Sequence, residues 1–245
     1  MTPDLPAVEI AIVEQTNKFR AQKALPPVNV NHLLTNAARA YAEYLARTRT
    51  FGHQADGREP AERATTAGYS YCRIAENLAM ALDSRGFATD RLATEMVEGW
   101  INSPGHRANL LAPAVTDIGV GVARVPDKHP KFVSVQLFGR PQSAMVTFQV
   151  SNATTSSIGY AFGGENHDIE PGFAVRHSTC DPADIAFEPI GRGSGRASPA
   201  GTYAAADGTI YLLKPTNAGG FTVVVTQKET VEQKPAKPER TNKIR

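Results

Sequence analysis

The sequence predicts an α+β protein, an α-β-α sandwich over about residues 5–141 followed by a small antiparallel β-sandwich over about 144–227. Two observations carry this. Up to Pro141, apolar residues recur at three- and four-residue steps in several segments, with strand-like runs between them. Beyond Pro141 the helical period vanishes, and short runs punctuated by Gly, Pro, Asn, Asp and Ser take over.

The first helix is expected over 6–22, where Ile10, Val13 and Asn17 form one stripe and Ile12, Thr16 and Phe19 another. Leu25-Pro26-Pro27 stops it, because the residue before a proline is pushed out of the α region. A second helix over 31–48 gathers Leu34, Ala38, Tyr41, Ala42 and Leu45 on one face, with Arg47 and Arg49 at its negative pole. A short third helix over 59–67 ends at Gly68, and a fourth over 88–102 aligns Leu92, Met96 and Trp100 before Pro104. Strands are read at 74–80, 118–123 and 131–138. In Ile118-Gly-Val-Gly-Val-Ala123 the glycines leave one face open to close backbone approach.

In the second half the expected strands are 145–150, 158–162, 173–176, 185–187, 209–213 and 221–226. Asp207-Gly208, between 203–206 and 209–213, carries the signal of a type I′ hairpin. Residues 228–245 are rich in Lys, Glu and Pro and read as a solvated tail.

The chain has 245 residues, 41% hydrophobic and 20% charged, with a net charge of +2. That charge is too mild to argue for nucleic acid, and no apolar run approaches the roughly 20 residues of a membrane helix. Residues 1–6 have neither a basic nor an apolar signal-peptide region. Cys72 and Cys180 fall one in each expected domain. They either pair, in an oxidising compartment, or remain two separate buried thiols, and no C-x-x-C supports a redox or zinc motif.

Four residues are candidates for chemistry. His53 lies in the loop Phe51-Gly52-His53. His106 follows Pro104-Gly105, a turn after the fourth helix. Glu76 interrupts the apolar run 74–79. A neutral imidazole is a common metal ligand, and a carboxylate inside a strand needs partners, because an unpaired buried charge is very costly. Ser103, His106 and Glu76 also suit a nucleophile, a base and an orienting group. The plainer readings are that His53 is a surface residue, that Glu76 and Asn77 staple neighbouring loops, and that Ser103 caps the turn before Pro104. Glu95 and Glu98 project from the helix side opposite Trp100 and belong to the solvent face. Trp100 reads as core, and Asn109 and Arg107 as ties from the following loop to backbone carbonyls. His32, His129, His167 and His177 have no spacing that suggests a site.

The run Trp100–Leu111, W-I-N-S-P-G-H-R-A-N-L-L, with Phe51-Gly52-His53 and Ala75-Glu76-Asn77-Leu78-Ala79, resembles the CAP superfamily. That group covers cysteine-rich secretory proteins, antigen 5 and pathogenesis-related 1 proteins, and the bacterial SCP-like extracellular branch is the nearest in pattern. The resemblance covers about 5–141 and implies an α-β-α sandwich and export, with a signal peptide already removed and a secreted or periplasmic location. It places His53, Glu76 and His106 in a cleft tetrad whose second acid is replaced here by Ser103. In some members the matching histidines bind zinc or another divalent ion, which implies weak metal binding through His53 and His106. No single activity follows. The resemblance leaves open a binding module for a lipid, an envelope fragment or a protein partner, a metal- or Ser/His-dependent hydrolase of protease type, and a structural, adhesive envelope protein. The missing acid and the added β-domain favour binding.

Overall fold

The computed structural model describes residues 2–181, 183–187 and 201–227, and the tail read over 228–245 lies outside them. The described residues divide into two compact units, one of residues 2–145 with 179–181, and one of residues 146–178 with 183–187 and 201–227.

The first unit runs α1 (Leu5–Gln22), β1 (Asn29–Val30), α2 (His32–Thr48), α3 (Pro60–Thr66), β2 (Tyr71–Leu82), α4 (Thr89–Asn102), α5 (Pro104–Leu110), β3 (Asp117–Val125) and β4 (Lys131–Pro141). Its sheet has the order β1-β3-β4-β2, with β4 antiparallel to both neighbours and β1 parallel to β3. One core joins α1 and α4 to the sheet through Ile12, Leu92, Met96, Trp100, Val120 and Phe138. The other joins α2 to the opposite face through Leu34, Tyr41, Leu45, Leu78, Val135 and Leu137. Helices on both faces of one sheet make the α-β-α sandwich.

Local chemistry sets the boundaries. Asn31 accepts hydrogen bonds from the Leu33 and Leu34 amides at the start of α2. Glu59 and Glu62 close a capping box at α3, with Pro60 in the first turn. Gly68, at φ 88°, follows α3 in the left-handed conformation that glycine tolerates best. Of the two stripes on α1, Ile12, Thr16 and Phe19 face the core, whereas Ile10 is 60% exposed. A Cβ on Gly119 would lie 2.2 Å from the Leu34 backbone, and one on Gly121 would lie 2.3 Å from that of Arg39. The glycines of β3 therefore let α2 lie directly on the sheet. The segment after α4, expected as a turn and loop, is instead the helix α5. Pro104 sits in its first turn, where a missing N–H costs nothing, and so starts a helix as readily as it ends one.

The second unit holds β5 (Val146–Asn152), β6 (Ile158–Phe162), β7 (Glu165–Ile169), β8 (Ala174–Thr179), β9 (Asp184–Phe187), β10 (Thr202–Ala204), β11 (Thr209–Pro215) and β12 (Phe221–Gln227). They form two sheets, β10-β9-β6-β7 and β12-β11-β5-β8, which share a core of Phe148, Tyr160, Phe162, Phe187, Tyr211 and Phe221. In this sandwich β9 with β10, β6 with β7, β6 with β9, and β11 with β12 run antiparallel, whereas β5 and β11 run parallel. Strand β7 lies outside the expected set, because Glu165-Asn-His-Asp-Ile169 has almost no apolar content to signal it.

The hairpin expected at Asp207-Gly208 is not formed. β10 pairs with β9 in one sheet, while β11 pairs with β12 and β5 in the other. Asp207 lacks the positive φ that a type I′ turn demands, and Gly208 alone has it, at 69°. The dipeptide carries the chain from sheet to sheet, held by hydrogen bonds from the Thr147 amide to Asp207 and from the Gly208 amide to the Thr147 carbonyl.

Candidate functional site

Glu76 lies mid-strand on β2, opposite Leu137, with its side chain only 1% exposed. Its Oε2 accepts a hydrogen bond from Arg63 Nη2 at 2.8 Å, and its Oε1 lies 2.8 Å from His53 Nδ1. With the carboxylate ionised, Nδ1–H donates and Nε2 carries the lone pair, on a ring that is 52% exposed. Burial pushes the Glu76 carboxyl above its ordinary range, against the opposing pull of Arg63 and His53.

Arg63, on α3, is the hub that the sequence reading missed. Its Nη1 donates to Asp56 at 2.9 Å and to the Arg58 carbonyl at 2.7 Å, and its Nη2 donates to the His53 carbonyl at 2.9 Å as well as to Glu76. The guanidinium lies 3.5 Å from the centre of the Tyr41 ring. Tyr41 Oη in turn donates to the Gly52 carbonyl and accepts from the Ala55 amide, and Tyr44 Oη donates to the Ala55 carbonyl. The loop that presents His53 is thus tied down from α2 and from α3. The one sequence-level signal for this was indirect: a carboxylate inside an apolar strand requires a cation somewhere.

His106 sits in the first turn of α5 and is half-buried. Burial, and after it the charge of nearby His53, pushes His106 below the ordinary histidine value, which favours the neutral ring. A polar chain fixes α5 against the sheet. Asn77 Nδ2 donates to the His106 carbonyl at 3.2 Å and to Gln136 Oε1 at 3.0 Å, and Gln136 Nε2 donates to Thr16 at 2.9 Å. Asn109 Nδ2 donates to the Glu76 carbonyl at 3.1 Å and to Asn77 Oδ1 at 2.9 Å. Arg20, fully buried, holds the far end of α5 through the Leu110 and Ala112 carbonyls. Trp100 is core, with its Nε1 donating to the Leu78 carbonyl at 2.9 Å. Asn109 ties α5 to β2 by its side chain, whereas Arg107 is exposed.

Ser103 is the N-cap residue of α5, and its side chain makes no capping hydrogen bond. The hydrogen bonds of Glu76 go to His53 and Arg63, so Glu76 orients His53 rather than His106. Glu95 and Glu98 are exposed. Cys72 and Cys180 form a disulfide, and the short segment Thr179–Asp181 groups with the first unit.

A buried carboxylate on the central sheet, with one histidine held against it from the loop before α3 and another in the first turn of α5, sits on an α-β-α frame, and the family comparison agrees with that frame. The chain belongs to the cysteine-rich secretory protein (CAP) family, whose model matches residues 13–138. It is 35% identical over 116 residues to the uncharacterized protein YkwD of Bacillus subtilis (strain 168), a match covering 47% of this chain and 42% of YkwD. Among solved structures it is similar to an extracellular SCP-domain protein of Bacillus anthracis, at 26% identity and a TM-score of 0.45, covering 56% of this chain and 41% of that one. It is also similar to an outer surface protein of Borrelia burgdorferi, at 24% identity and a TM-score of 0.45, covering 54% of this chain and 90% of that one. In the described residues no helix is long and apolar enough to cross a membrane.

Proposed function

We propose that this protein is a secreted binding module that holds a lipid, a cell-envelope fragment or a protein partner at the surface around His53, Glu76 and His106. One observation carries the reading. Both oxygens of Glu76 accept hydrogen bonds, one from Arg63 and one from His53, on a side chain that is only 1% exposed. A carboxylate acting as general base needs an oxygen within reach of water or substrate. Glu76 has none, and Ser103 stands where a second acid would be. What remains exposed is a fixed imidazole edge, which suits recognition. The disulfide supports a location outside the reducing cytosol, as does the family.

A divalent ion such as zinc would be held by His53 and His106 only as an open site. Glu76 holds His53 by Nδ1 and leaves Nε2 free, the arrangement in which a carboxylate orients a metal-binding histidine. Among the described residues no group of three or more His, Cys, Asp or Glu is placed to enclose an ion, so two protein ligands leave room for water or a partner's oxygen. Bound there, an ion would supply a Lewis-acid anchor for that oxygen, at weak affinity.

The test is cosedimentation with phospholipid vesicles and with purified cell-wall fragments, beside a broad hydrolase screen run with and without chelator. Binding to one of these probes that falls in His53→Ala and His106→Ala, with no turnover in the screen, is the expected result. Turnover abolished by His106→Ala would replace the binding reading with a hydrolase. Calorimetric titration of zinc should give heat for wild type and little for His106→Ala, and equal heats would remove the histidines as ligands.

A further inference from the structure

Folding of the second unit gathers two histidines and a phenol that lie apart in sequence. His167, on β7, stands directly opposite Tyr160 of β6, and their rings lie 26° from parallel with centres 5.1 Å apart. His177 comes from β8, in the other sheet of the sandwich, and its Nε2 lies 2.7 Å from Tyr160 Oη. Strands β7 and β8 are each at the end of their sheet, and both histidines are half-buried. The two imidazoles therefore meet at the rim of the sandwich, with ring centres 5.0 Å apart and planes 65° from parallel. Among the described residues neither nitrogen of His167 nor Nδ1 of His177 has a hydrogen-bond partner, and none of the three is sealed from solvent. Packing alone does not call for these groups. Phe148 and Phe162 already set carbon rings against His177, at centre distances of 5.1 and 5.3 Å.

The spacing is that of two ligands on one ion. An imidazole nitrogen bound at about 2.1 Å puts its ring centre about 3.2 Å from the ion, so two rings at a tetrahedral angle stand about 5.2 Å apart. His167 and His177 match this within a few tenths of an ångström. We propose that His167, His177 and the Tyr160 hydroxyl hold one divalent transition ion, zinc or a neighbour in that series, with water on the remaining side. Imidazole is a donor that such ions accept and that hard magnesium and calcium pass over for oxygen. Burial first, and the charge of His167 second, push His177 below its ordinary value, which keeps its ring neutral and able to coordinate. Tyr160 Oη, already beside Nε2, supplies an oxygen at the same point. An ion held there would tie an edge of one sheet to an edge of the other. The site belongs to the second unit and is separate from His53 and His106.

Zinc titration of the full chain carrying His53→Ala and His106→Ala, followed by imidazole-nitrogen NMR and calorimetry, tests this. One zinc should bind per chain, with the His167 and His177 nitrogens shifting together while those of His32 and His129 stay in place. On that background His167→Ala and His177→Ala should each weaken zinc by at least about tenfold. Tyr160→Phe, which keeps the ring and removes only the oxygen, should cost about tenfold. His167 lies on an edge strand and outside the buried cluster of the sandwich, so His167→Ala stays decisive if His177→Ala fails to fold. Zinc should also raise the unfolding midpoint of the second unit, which rings packed only for shape would not show. Magnesium at the same concentration should move neither ring. The proposal is overturned if zinc gives no saturable binding below about 1 mM, if one ring shifts without the other, if His167→Ala binds zinc as its parent does, or if magnesium serves as well as zinc.

Discussion

Replacing Arg63 by Met removes the cation that holds Glu76 and leaves a carboxylate with a side chain 1% exposed facing only a half-exposed histidine. Breaking one side of a buried pair costs about 3–5 kcal/mol, because the surviving charge stays desolvated. Arg63 also loses its bonds to Asp56, to the Arg58 and His53 carbonyls, and its stacking on Tyr41, so the upper part of that range is expected. The cost should depend on pH in a definite direction. Burial already raises the Glu76 pKa in wild type, so the protonated form favours the folded state. A raised folded-state pKa contributes stability that is present at acid pH and lost as pH rises through that pKa. Without Arg63 the shift grows, so the variant should be most destabilised near pH 7 and recover toward pH 4, where the carboxyl is neutral. The double variant Arg63→Met/Glu76→Gln should regain most of the loss at pH 7, since no buried charge remains. Urea unfolding followed by helical circular dichroism reads the first unit, because the described helices lie there. A cost below about 1 kcal/mol, or one that is equal at pH 4 and 7, would refute the buried-pair reasoning.

Gly121→Ala drives a methyl into the α2 backbone 2.3 Å away and should destabilise the first unit by about 1–3 kcal/mol or more, measured by the same unfolding assay. Cys72→Ser opens a loop that spans 108 residues and should cost about 2–5 kcal/mol, with the same loss on adding reductant to wild type but not to the variant. In the second unit His177 is pushed below its ordinary value by burial first and by His167 second. The unfolded chain then takes up that proton more readily, so stability should fall as pH drops below about 6.5. Amide exchange in β6 and β8 at pH 7.5 and 5 should show this, and His177→Gln should flatten the trend; an unchanged slope counts against it.

The helices were legible because their faces repeat within a few residues. Leu34, Ala38, Tyr41 and Leu45 form a buried stripe whatever they pack against, and the glycines of β3 announce a close neighbour without naming it. His53, Glu76 and His106 stood out as candidates because local motifs marked them. What they touch did not, since Arg63 reaches Glu76 only once α3 lies across β2. The chain read alone left Cys72 and Cys180 free to pair or not, and tertiary folding joined them across 108 residues. The same limit explains Asp207-Gly208. A turn signal is local, but the choice of strand partner depends on which sheet edge lies open after the chain has folded, and β11 found β5 and β12. His167 and His177, unremarkable in sequence, stand with ring centres 5.0 Å apart, with Tyr160 hydrogen-bonded to His177. Periodicity, caps and breakers act over one or two turns of chain, so sequence determined the elements and several of the residues that matter. Partners for buried charges, strand order and cavity walls arise from long-range packing, and these only the tertiary structure decided.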